Sequence, residues 1–83
     1  MYDTMYTMID VEKLVREVNK YLRDKYAHTR MRVRPFDAGK YCGDYIATLD
    51  GTMKLRCNTP HELWYAISGY LAGLKQFGLF KQR

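Results

Sequence analysis

Asp50-Gly51 restricts the fold of this chain more than any other pair of residues in it. Asp-Gly suits the two-residue type I′ turn, whose central residues both need positive φ, and here it separates two runs of β-branched, aromatic and alternating residues. The runs predict strands over residues 41–49 and 52–57. A two-residue loop would set Leu49 opposite Thr52, Thr48 opposite Met53, Ala47 opposite Lys54, Ile46 opposite Leu55 and Tyr45 opposite Arg56. The core face is then expected to carry Ile46, Thr48, Met53, Leu55 and Cys57. The wet face is expected to carry Tyr45, Ala47, Leu49, Lys54 and Arg56.

A third strand is expected just before this hairpin. In residues 28–36, Met31 and Val33 alternate with Arg30, Arg32 and Arg34, the period of a half-buried strand, and Pro35 places it at an edge or ends it there. Helices are expected on either side. Val11, Leu14, Val15, Val18 and Leu22 recur every three or four residues, which predicts a helix over residues 11–26 with Asp10 as N-cap and Ile9 stapled to Leu14. Thr59-Pro60-His61-Glu62 reads as a second helix start, with Thr59 as cap, Pro60 in the first turn and Glu62 closing a capping box. Leu63, Ile67, Tyr70, Leu71, Leu74 and Phe77 make its apolar stripe, Trp64 lies on the flank, and Gly78 is the stop. The expected fold is α+β, a two-layer sandwich in the order αβββα with both helices on one face of a three-stranded antiparallel sheet. Antiparallel sheets tolerate an open second face. Residues 1–83 make one domain, with 1–8 as a lead-in and 79–83 as a flexible tail.

Several function classes are expected to be absent. No apolar run approaches the roughly 20 residues that span a bilayer. The opening Met1-Tyr2-Asp3-Thr4 has no basic stretch of the secretory kind, so a reduced, cytoplasmic setting is expected. Cys42 and Cys57 form no C-x-x-C, and His28 and His61 stand at no ligand spacing, so no metal and no cofactor are expected. Two free thiols on the core face are the ordinary use of such cysteines. Neither histidine has a serine or cysteine to activate, and no catalytic residue is assigned, so the chain is not expected to be an enzyme.

Charge is unevenly distributed. Residues 1–29 hold five bases and five acids, whereas residues 30–58 hold Arg30, Arg32, Arg34, Lys40, Lys54 and Arg56 against Asp37, Asp44 and Asp50, within a chain of net charge +5. The expected register gathers Arg30, Arg32, Arg34, Lys54 and Arg56 around Tyr45 on the open sheet face. Guanidinium groups bridge phosphates and a tyrosine ring stacks on bases, so one reading is a nucleic-acid-binding accessory protein, of DNA or of RNA. The alternative is a protein-binding module with an acidic partner. Charged residues also protect sheet edges from aggregation.

The element order resembles that of the double-stranded RNA-binding domain and of some small phage-encoded anti-CRISPR proteins. The likeness is one of order alone. The second helix opens Thr59-Pro60-His61-Glu62, without the lysine cluster that family carries there, and no site residue is transferred from it. The anti-CRISPR proteins that mimic DNA are acidic, and this chain is basic. An accessory role in a phage or mobile element is an expectation by that analogy.

Gly69-x-x-x-Gly73 is expected to permit a close approach, either to the first helix or to a second copy of the chain. With Trp64, Leu79 and Phe80 it defines the surface through which a homodimer is expected.

Overall fold

The computed structural model describes residues 5–26, 28–35 and 43–78. Its elements are α1 (Met8–Lys25), β1 (Met31–Pro35), β2 (Tyr45–Leu49), β3 (Thr52–Cys57) and α2 (Pro60–Phe77). The sheet is antiparallel with β2 in the centre, as the αβββα reading expects.

α1 starts three residues earlier than its apolar stripe indicates. Thr7, not Asp10, is the N-cap. Its Oγ1 accepts from the Asp10 N–H at 3.5 Å, and Asp10 Oδ2 accepts from the Thr7 N–H at 2.9 Å. This reciprocal pair satisfies two first-turn donors, where a cap at Asp10 would satisfy one. The staple is absent as well, since Ile9 lies within the helix and is 66% exposed. α2 keeps its expected Thr59 cap, whose Oγ1 accepts from the Glu62 N–H at 3.1 Å. Glu62 reaches one residue further back than a capping box requires, and its Oε1 accepts from the Asn58 N–H. Gly78, at φ 77°, ends the helix and donates to the Leu74 carbonyl.

The hairpin turn forms as expected, with φ 53° at Asp50 and 87° at Gly51. Leu49 pairs with Thr52 and Thr48 with Met53, after which the register shifts by one residue. Ala47 then faces Leu55, Ile46 faces Arg56 and Tyr45 faces Cys57, leaving Lys54 as the extra residue of a β-bulge. The cause lies on the other side of β2. Met31 and Val33 pair with Leu49 and Ala47, so the apolar side of β1 selects Tyr45, Ala47 and Leu49 for the inner face. Leu55 and Cys57 join that face only if one residue leaves the β3 ladder. The expected faces of β2 are therefore exchanged: Ala47 and Leu49 are buried, while Thr48 and Met53 lie on the side away from the helices.

The core sits between this inner face and both helices. Val11, Val15, Val18 and Leu22 of α1 and Leu63, Ile67 and Leu74 of α2 close over Met31, Ala47 and Leu49, with Val33, Tyr45, Leu55 and Cys57 packed at its margin. Tyr21 ties the helix ends together by donating its hydroxyl to the Leu74 carbonyl at 3.2 Å. Phe77 does not join the stripe and is 80% exposed. Among the described residues no helix is long and apolar enough to cross a membrane.

Candidate nucleic-acid interface

The open face of the sheet consists of two cross-strand rows. One holds Arg34, Ile46 and Arg56, and the other Arg32, Thr48 and Met53. Ile46, between two arginines, is buried yet stands apart from the cluster under the helices. Arg30 precedes β1 and is fixed by the hairpin turn. Its N–H donates to Asp50 Oδ1 at 2.9 Å, and its carbonyl accepts from the Asp50 N–H at 3.0 Å. The turn thus docks against the start of β1. Arg30, Arg32 and Arg34 line one concavity of about 470 Å³ with Thr48, Asp50 and Gly51. Alternate residues of a strand stand about 6.6 Å apart, so the backbone positions of the three arginines extend along roughly 13 Å. None of the three forms an ion pair.

The structure does not bring all six expected residues together. Tyr45 faces the helices and packs against the core, so it offers no ring to a ligand on the open face. Lys54 is displaced from the ladder by the bulge. Arg56 remains on the open face beside Arg34, with its Nε 3.7 Å from Asp44 Oδ2. Of the five bases expected on this face, Arg56 is thus paired with an acid. An exposed pair of this kind contributes at most about 1 kcal/mol, but it places an anion among the cations.

No family model matches the chain, and no curated protein or solved structure is significantly similar to it.

Sequence reasoning reads three further bases only as part of the charged outer face of α1, interleaved with acids, and assigns them no site. Arg16, Lys20 and Arg23 recur at helical spacing on one stripe of α1, beside β1, and with Asn19 and Arg30 they line a second concavity. The acids Asp10, Glu17 and Asp24 recur every seven residues beside that stripe, and Glu12, four residues before Arg16, falls on it. Summing the charge of residues 1–29 to zero hides these bases, which the packing of α1 beside β1 brings together with Arg30.

The surface expected to form a dimer is placed in part. Trp64 is covered within the chain: the Tyr6 ring stacks on it at 4.0 Å between centroids and 6° between planes. Tyr6 also donates its N–H to His61 Nδ1 at 3.0 Å, so that nitrogen is an acceptor and the imidazole proton sits on Nε2. Tyr65 meets the rings of Tyr6, His61 and Trp64 edge-on. A Cβ built at Gly69 or Gly73 meets nothing within 4 Å, so α1 makes no close approach there and the first of the two expected neighbours is overturned. Leu79 and Phe80 lie outside the described residues, as does Cys42. Cys57 is a free thiol on the core side. Burial, and then the charges of Glu62 and Asp44, raise its pKa, which keeps it protonated and a poor nucleophile at neutral pH. His28 is exposed in the turn after α1. No group of three or more His, Cys, Asp or Glu among the described residues could hold a metal ion.

Proposed function

We propose that the protein binds nucleic acid along its sugar–phosphate backbone, through Arg30, Arg32 and Arg34 on the open side of β1. The observation that carries this reading is the concavity shared by three guanidinium groups, each without an ion pair. Guanidinium forks match phosphate oxygens two at a time, and alternate placement along a strand repeats the fork at regular intervals. With Tyr45 on the inner face, recognition rests on phosphate contact, which positions a protein on nucleic acid without reading sequence. The test is fluorescence anisotropy with labelled DNA and RNA oligonucleotides at low salt. Binding is expected, with an affinity that varies little with base sequence. Absence of binding to either, with the protein folded, would remove this function.

A feature of α2 supports a second reading, contact with another protein. No charged residue lies between Glu62 and Lys75, while Tyr65 and Phe77 are 58% and 80% exposed. Sedimentation of the pure protein, and of a Phe77→Asp variant, tests a self-contact there. A larger species that the variant reduces to the monomer would support it, and a monomer throughout would leave no self-contact through Phe77.

A further inference from the structure

A second group of cations, sharing Arg30 with the first, stands where α1 meets β1. Arg16, Lys20, Arg23 and Arg30 surround a concavity of about 380 Å³, and Asn19 completes its lining among the described residues, none of which brings a carboxylate to it. None of the four forms an ion pair. Like charges three or four residues apart on a helix repel by a few tenths of a kcal/mol per pair. Glu12 stands four residues before Arg16, and Glu17 and Asp24 stand three before and four after Lys20, yet none of them forms an ion pair with these bases. Asp10 and Glu17 border a different concavity, beside Tyr6 and Trp64.

Asn19 holds the group together without taking part in it. Its Oδ1 accepts from the Met31 N–H at 2.7 Å and its Nδ2 donates to the Met31 carbonyl at 3.0 Å. Met31 directly follows Arg30, and its side chain is anchored in the core at 1% exposure. Arg16, Lys20 and Arg23 are three before, one after and four after Asn19. The amide therefore fixes the strand-borne arginine against the helix-borne trio, its Nδ2 and Oδ1 each already making one hydrogen bond to Met31.

We infer that Arg16, Lys20, Arg23 and Arg30 form a phosphate seat at the seam of α1 and β1. Three guanidinium forks and one ammonium group exceed the single negative charge of one phosphodiester. They match a group of higher charge, namely consecutive backbone phosphates, a terminal phosphate or a pyrophosphate. As a seat for backbone phosphates this rests on the nucleic-acid reading above. As a seat for a small phosphorylated molecule it stands independently.

Two measurements on the full chain separate these sources, each made with wild type, Arg16→Ala/Arg23→Ala and Arg32→Ala/Arg34→Ala. In calorimetry with inorganic pyrophosphate, wild type and the Arg32/Arg34 variant should bind alike, and the Arg16/Arg23 variant at least about tenfold more weakly, since each lost charge-assisted contact is worth about 1.5 kcal/mol or more. In oligonucleotide binding, the Arg16/Arg23 variant should lower the magnitude of the log–log salt slope by roughly two units, one per lost phosphate contact. Pyrophosphate binding that depends on Arg16 and Arg23, with no oligonucleotide binding by wild type, assigns the seat to a small phosphorylated molecule and removes the nucleic-acid reading. Oligonucleotide binding unchanged in the Arg16/Arg23 variant, together with no pyrophosphate binding, overturns the seat and leaves that reading intact. All of these substitutions are at exposed or half-buried side chains, and alanine favours the helix, so each variant is expected to fold.

Discussion

Asn19 of α1 takes both backbone hydrogen-bonding groups of Met31, accepting from its N–H at 2.7 Å and donating to its carbonyl at 3.0 Å. One side chain thereby closes the outer edge of β1 at that residue, as a neighbouring strand would, and joins the two cation-bearing elements. Asn19→Ala removes both bonds, each worth about 1 kcal/mol net. A loss of about 1–2 kcal/mol is expected in urea unfolding. The variant should also bind pyrophosphate more weakly than a core variant of equal instability, such as Val15→Ala. Equal binding by the two would give Asn19 a stabilising role only.

Gly69 and Gly73 are expected to be replaceable. Each lies inside α2 with open space where a Cβ would stand. Alanine is favoured over glycine in a helix by about 1 kcal/mol, and no neighbour has to move. Gly69→Ala and Gly73→Ala should each raise the Tm. A fall in Tm at either site would mean that something packs closely on that flank.

Thr7 and Asp10 make the start of α1 sensitive to acid. The Thr7 N–H, chiefly, holds the Asp10 carboxyl below its ordinary value of 3.8; slight desolvation opposes this, and the Thr7 hydroxyl and Lys13 assist it. A carboxylate with a depressed folded pKa contributes stability above its unfolded value and loses it as pH falls through the folded one. The contribution should thus be complete above about pH 4 and disappear below it. Plotted against pH, the Tm of Asp10→Asn should fall less steeply than that of wild type in this acid range. Parallel curves would exclude Asp10 from the acid response.

Trp64 is the single tryptophan, so its fluorescence reports on the ring stack with Tyr6. Tyr6→Ala removes the ring 4.0 Å away, and His61→Ala removes the acceptor of the Tyr6 N–H. Both should shift the emission to longer wavelength as water reaches the indole. An unchanged spectrum in Tyr6→Ala would mean that residue 6 does not cover Trp64 in solution.

Local patterning in the sequence was enough to find the five elements, their order and the Asp50-Gly51 turn, because caps, apolar periods and turn residues are short-range signals. The faces of β2 depend on two partners at once. Reading the hairpin alone assigns Tyr45 to the open side. Pairing Met31 and Val33 with Leu49 and Ala47 reverses that, and the bulge at Lys54 reconciles β3 with the result. The arginines of β1 were legible from their alternation. The bases of α1 were present in the same sequence but become a site only when Asn19 binds Met31 and so brings them against Arg30, a contact between residues twelve apart that no periodicity encodes. The anchoring of Tyr6 on His61 and Trp64 spans still greater separations and leaves no local pattern.

The nucleic-acid reading is tested most directly by the salt dependence of oligonucleotide binding in wild type and in Arg32→Glu/Arg34→Glu. Three phosphate contacts correspond to a slope of roughly −3 in log affinity against log salt, and contacts by the α1 bases would steepen it. The reversed pair should weaken binding at low salt and flatten the slope by about two units, with the Tm little changed because both side chains are exposed. Equal affinity and equal slope in the two proteins would contradict the assignment of this face to nucleic acid.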